Sequence, residues 1–246
     1  MAPAGRNPRG FDSRHGGVAR EQAGSMLGAM TTPRLLSVWF SIFCLATGVG
    51  AQAKEALTLT RSRVAQWEFL SPEKAALESV AEFGPDGVVQ LAGKPMGYMV
   101  SRESFENCAL HVEWRWTAKP GNSGILVNID SGPIDEHLWP RCLQVQMKHA
   151  RAGDLLPMAG ATFREPLSSP PGAKPPLRTR LTDDSEKPAG EWNAADIVCR
   201  DGVIEVTING VKQNRVTECQ PSTGRVGFQF EGAPYELRHV SVERLP

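Results

Sequence analysis

Alternation with a period of two constrains this chain more than any other feature. Leu110, Val112, Trp114 and Trp116 fall on one side of an extended segment, and His111, Glu113 and Arg115 fall on the other. Successive side chains of a strand point to opposite faces, so this spacing predicts a strand with one buried face. The pattern returns at Ile204, Val206 and Ile208, in the stretch from Arg225 to Glu231, and between Arg238 and Glu243. Asn209-Gly210 follows the second of these and suits the positive φ angles of a two-residue hairpin. Helical periodicity is scarce. Ser71-Pro72-Glu73 offers a Ser cap and a Pro at a first helical position, enough for a single turn in a loop. Many short strands separated by turn residues predict an all-β sandwich or barrel.

The N-terminal fifth reads differently. Arg34 precedes an apolar run from Leu35 to Val49 that carries no charge, and Ala51-Gln52-Ala53 supplies small residues two apart. A basic residue, an apolar stretch and a small-x-small site are the parts of a secretory signal peptide, here residues 30–53. The run is shorter than the roughly 20 apolar residues of a membrane span, so no stable span is expected after cleavage. Residues 1–29 are rich in Gly and Arg and are expected to be untranslated or disordered, with Met26 or Met30 as a more natural start. Residues 54–246 then form one domain, secreted or periplasmic. The formal net charge of +0 argues against electrostatic binding of nucleic acid. Cys108, Cys142, Cys199 and Cys219 remain, either as buried free thiols or joined in one or two bridges, with three full pairings open to them, and no CxxC spacing suggests zinc. Six prolines between 164 and 190 mark a long loop, and a loop of that length is usually a functional rim or disordered.

One segment departs from the apolar-in, polar-out rule in an informative way. Gly121-Asn122-Ser123-Gly124-Ile125-Leu126 is a turn feeding a strand, and about twenty residues later Gln144, Gln146 and Lys148 line one face of a second strand opposite Leu143, Val145 and Met147. The row is either a solvated outer face or the floor of a sugar site. Amides, carboxylates and guanidinium groups offer directed donors and acceptors to hydroxyls, and Trp139 and Trp192, beside turns, offer rings for stacking. Glu113, Arg115, Gln229, Glu231 and Arg238 are expected on the same surface. Asp130, Asp135 and Glu136 are candidate oxygen ligands for calcium or another divalent ion, though a solvated acidic loop explains them as well. No motif demands a cofactor.

Several of these pieces fall in the order of a known family. Asn122-Ser123-Gly124-Ile125, Trp139-Pro140-Arg141-Cys142-Leu143-Gln144-Val145-Gln146, Gly153-Asp154-Leu155, the stretch from Glu186 to Asn193, Asn209-Gly210, and the stretch from Gly232 to Val240 together resemble the 3-keto-disaccharide hydrolase domain family. The resemblance implies a concanavalin A-like jelly-roll β-sandwich of two antiparallel sheets, and an oligosaccharide or glycoside substrate oxidised at C3. The ketone acidifies the C2 hydrogen, so a base can remove it and the group at C1 leaves by elimination. Such a route needs a base near C2 and donors for the enolate. Gln144 stands where many members carry an acid, and Asn128 stands near the place of an Arg. The expectation is that Glu113 or His149 acts as acid/base. Asn128, Gln144, Gln146, Lys148, Gln229, Glu231 and Trp139 would bind the sugar. The alternative is a non-catalytic carbohydrate-binding module on the same jelly roll.

Overall fold

A computed structural model describes residues 56–117, 119–132 and 139–246. The expected signal segment, residues 1–29, Asp135 and Glu136 lie outside the described residues. Fourteen strands follow in order: β1 (Leu57–Thr58), β2 (Trp67–Leu70), β3 (Ala81–Phe83), β4 (Val89–Leu91), β5 (Gly97–Phe105), β6 (Cys108–Trp116), β7 (Gly124–Ser131), β8 (Arg141–Gln146), β9 (Leu155–Met158), β10 (Asn193–Arg200), β11 (Val203–Ile208), β12 (Val211–Val216), β13 (Gly224–Phe230) and β14 (Tyr235–Arg244). Two 3-10 turns, Arg61–Gln66 and Leu77–Ser79, are the helical elements among the described residues. At Ser71 the hydroxyl accepts the Ala75 N–H at 3.2 Å, but it caps a turn, not a helix.

The strands make two antiparallel sheets. One runs β12-β11-β10-β6-β14-β4-β3, with β1 also paired to β14, and the other runs β2-β5-β13-β7-β8-β9. Their inner faces meet in one core. From the first sheet come Leu110, Val112, Trp114, Trp116, Ile204, Val206, Ile208 and Leu237; from the second come Met99, Ile125, Val127, Leu143, Val145, Phe228 and Phe230. The alternation expected for β6 and β11 is therefore present, and Asn209 and Gly210 turn between β11 and β12 with φ of 52° and 81°. Cys108, Cys142, Cys199 and Cys219 are buried and form no disulfide among the described residues, and Cys108 stands opposite Cys199 across β6 and β10.

The second sheet is unusual because its outer face is also covered. Along β7 and β8 nearly every residue is buried, not every other one. Tyr98, Val100, Leu126, Ile129, Trp139, Cys142, Leu156 and Met158 form a smaller apolar cluster on that outer side, with Leu177 packed on it. Leu177 belongs to the Pro-rich segment, which has no helix and only an isolated bridge, Arg178 to Leu155. Dense anchoring replaces regular structure there. Arg178 and Leu155 exchange backbone hydrogen bonds of 2.8 and 2.9 Å. The Asn214 amide donates to Gly153 O and Thr179 O, and its oxygen accepts from Arg178. The buried Asp154 carboxylate accepts the Arg180 N–H at 2.8 Å. The Gly153-Asp154 turn thus docks the long loop onto the sandwich. Gly153 has φ of +91°, and a Cβ there would lie 2.6 Å from Gln213 Cβ, so only glycine fits.

Candidate functional site

The site begins with parity. Gln144 and Gln146 are on β8, one residue out of phase with Leu143 and Val145, so they point away from the main core. Gln229 on β13 is likewise out of phase with Phe228 and Phe230. These amides would face solvent on an ordinary outer sheet. Here β9 and the Pro-rich loop rise around them and enclose a cavity of about 700 Å³. Gln144, Gln146 and Gln229 line it with Asn122 and Glu231; Trp139, Leu156, Pro157, Met158 and Ala159 add an apolar side, and Lys148, Lys174, Pro175 and Pro176 complete the lining.

The amides form one chain of fixed polarity. Glu231 Oε2, an acceptor only, takes hydrogen bonds of 2.7 Å from Asn122 Nδ2 and from Gln229 Nε2. Gln229 must therefore offer its oxygen to Gln144, whose Nε2 donates to it at 3.1 Å and to Gln146 Oε1 at 3.3 Å. Gln146 Oε1 is held at the other end by the Met147 and Lys148 backbone N–H groups at 3.1 and 3.0 Å. A carboxylate at one end and two backbone donors at the other thus settle every amide orientation. Two acceptors are left without a partner, Gln144 Oε1 and Asn122 Oδ1, both buried. Gln144 is 1% exposed. A buried acceptor without a donor costs on the order of 1–3 kcal/mol, which a ligand hydroxyl would relieve.

The glycine motif before β7 has a steric purpose. Gly124 lies opposite Gln146 in the β7–β8 register, and a Cβ on it would lie 2.5–2.6 Å from the Gln144 side chain. Its missing side chain lets Gln144 lie across the strand. Ser123 reinforces the junction: its hydroxyl donates to Gln229 O at 2.7 Å, a carbonyl that also accepts the Tyr235 hydroxyl at 2.9 Å.

The expected site residues divide. Gln144, Gln146, Lys148, Gln229, Glu231 and Trp139 come together around the cavity. Glu113 does not join them. It lies on the outer face of the other sheet, with the core between, and binds Arg238 Nε at 2.6 Å and His239 Nδ1 at 2.9 Å. Burial pushes its carboxyl up, but the hydrogen bonds from His239 and Arg238 outweigh this and hold it below the usual glutamate range. Arg115 and Arg238 share that face and stack on Trp192 at 4.6 and 4.1 Å. The single surface expected for Glu113, Arg115, Arg238, Gln229 and Glu231 is therefore two surfaces on opposite sheets. His149 is 49% exposed in its side chain and sits 3.2 Å from the buried Glu186 carboxylate, outside the cavity lining. Asn128, at φ of 55° in a bulge of β7, spends its amide on Pro221 O at 3.0 Å. Its role there is to hold the chain, because the bulge turns it from the cavity. Asp130 accepts from Arg141 at 2.6 Å, and no cluster of three or more potential metal ligands occurs among the described residues.

Sequence reasoning left out Asn122, although it opens the Asn-Ser-Gly-Ile motif, and the apolar wall from Leu156 to Ala159. It also left out Lys174, Pro175 and Pro176. The proline cluster signalled a rim, but nothing local says which face a long loop will cover.

Two antiparallel sheets carrying a polar cavity on one outer face define a jelly-roll sandwich. Residues 62–243 match the 3-keto-alpha-glucoside-1,2-lyase-like domain, and the chain belongs to that family. Among solved structures, a proposed glycosyl hydrolase from Parabacteroides distasonis is 18% identical with a TM-score of 0.55, over 78% of this chain and 100% of its own. A carbohydrate-binding module from Bacillus subtilis is 9% identical with a TM-score of 0.50, over 72% of this chain and 95% of its own. Both likenesses are of fold. No curated protein matches the chain in sequence.

Proposed function

We propose that the cavity takes a glycoside oxidised to a ketone at C3 and cleaves it by elimination. The observation that carries this reading is the convergence of Glu231 with the amide chain, since Glu231 is the carboxylate lining the cavity among the described residues. Its two amide donors fix Oε2 and so the plane of the group. Glu231 takes the C2 proton, and the electron pair left at C2 delocalises onto the C3 oxygen as an enolate. Gln146, with its oxygen engaged by backbone, presents Nε2 to that oxygen. Collapse of the enolate forms the C1–C2 double bond and breaks the bond from C1 to the aglycone oxygen, which leaves with the proton that Glu231 took from C2. Water then adds to the double bond, and the net reaction is hydrolysis. Gln144 Oε1 and Asn122 Oδ1 accept from sugar hydroxyls on either side. Trp139 and Met158 meet the apolar ring face.

The test is turnover of a chromogenic 3-keto-glucoside. Glu231→Gln keeps the size and the amide contacts but removes the base, and should lower the rate by about 10²–10⁴-fold. An unchanged rate removes Glu231 from the mechanism. The second reading, a binding module, is favoured by one observation: apart from Glu231 the floor is all amide. Sugar binding by the wild type with no aglycone released would select it. We also propose export, on the apolar run from Leu35 to Val49; N-terminal sequencing of the expressed protein should find the chain starting near Lys54.

A further inference from the structure

Resting on the reading of the cavity as a glycoside site, we propose that its ligand carries an anionic group, a carboxylate or a sulfate or phosphate ester, read by Lys148 and Lys174. Both lysines line the cavity, and neither makes an ion pair among the described residues. On the two sheets Arg115 is paired with Glu236, Arg238 with Glu113, Arg141 with Asp130 and Arg225 with Glu68. Neither lysine is paired with Glu231, whose Oε2 accepts from Asn122 and Gln229.

The two ammonium groups reach the cavity by independent routes. Lys148 continues the parity of Gln144 and Gln146 just past β8. Lys174 is carried by the Pro-rich loop, whose backbone is held on both sides: Ala173 N–H donates to Pro170 O at 3.1 Å, and Leu177 N–H donates to Ser169 Oγ at 3.0 Å. The walls beside them are Trp139, Leu156, Met158 and two prolines, so the two ammonium groups are the cations at the exposed rim of an otherwise uncharged wall. The buried, unpartnered Gln144 Oε1 on the same floor independently marks the cavity as built for a ligand. An acidic sugar satisfies both features, hydroxyls to the floor and the anion to the lysines.

The experiment is calorimetric titration of the full chain with p-nitrophenyl glucoside, p-nitrophenyl glucuronide and glucose 6-sulfate. The acidic sugars should bind about tenfold more tightly than the neutral one, a difference of about 1.4 kcal/mol, and the ratio should shrink as salt rises. Lys148→Gln combined with Lys174→Gln should bring the ratio to about one; both side chains are exposed, so the fold is expected to persist. Equal affinity for neutral and acidic sugars in the wild type, or a preference that survives the double substitution, overturns this proposal and leaves the glycoside reading intact. Failure to bind either acidic sugar also overturns this proposal, while the glycoside reading is decided separately by turnover of the 3-keto-glucoside.

Discussion

Gly124 shows how one residue controls the site without touching a ligand. Gly124→Ala would push the Gln144 side chain off the strand and break its bonds to Gln146 and Gln229. Two amide hydrogen bonds are worth about 1–3 kcal/mol together. We expect sugar affinity to fall by about tenfold or more while the far-ultraviolet spectrum stays that of the wild type. Asp154 offers a second test. Burial raises its carboxyl above the usual aspartate range, against the Arg180 hydrogen bond and the Arg180 and Arg151 charges. The folded state therefore holds the proton more tightly than the unfolded chain does. Stability from this group is present below the ordinary aspartate value of about 3.9 and is lost as pH rises through the raised one. Asp154→Asn should abolish that component, so the difference in denaturant stability between wild type and variant should drift against the wild type as pH climbs from about 3 towards neutrality.

At the scale of elements, the Pro-rich loop and β8 make the site together. Asn214 ties the loop to the Gly153 turn, so Asn214→Ala removes three hydrogen bonds. It should cost about 1–3 kcal/mol, speed hydrogen exchange across residues 174–182 and weaken sugar binding in parallel. Glu113→Gln, by contrast, should leave sugar binding and turnover unchanged, because its partners Arg238 and His239 belong to the other sheet; a loss of turnover there would return Glu113 to the mechanism. These two elements also mark what was legible in advance. β6 and β11 have one wet face, so their period of two exposes them in the sequence. β7 and β8 are buried on both faces, and a row of glutamines on such a strand reads like a solvated face until the loop above it is placed. Sheet membership was equally hidden. β6 pairs with β10 and β14, and β13 with β5 and β7, yet no local pattern in Glu113 or Gln229 says that they belong to different sheets. The motif Asn-Ser-Gly-Ile pointed to the correct strand pair because its glycine answers to a close contact, which is local in cause.

For the whole molecule, the last strand is the keystone. β14 lies between β6 and β4, and also pairs with β1, so residues from both ends of the described sandwich meet on it. Leu237 and Tyr235 are fully buried. A chain ending at Pro234 would leave β6 and β4 with bare edges and open the core, and should show no cooperative thermal transition. Pairing of this kind joins segments far apart in sequence, which slows folding; refolding from urea should take milliseconds to seconds, measured by tryptophan fluorescence.

The double covering of the second sheet has a further consequence, for how such a protein changes over generations. The floor residues are locked between two packed layers, and substitutions there disturb both. The wall that carries Lys174, Pro175 and Pro176 hangs from backbone anchors and has no strand partner to lose. New ligand preferences can therefore arise by rewriting the loop between its anchors while the floor is inherited unchanged, so diversity among descendants of this fold should concentrate at 170–176.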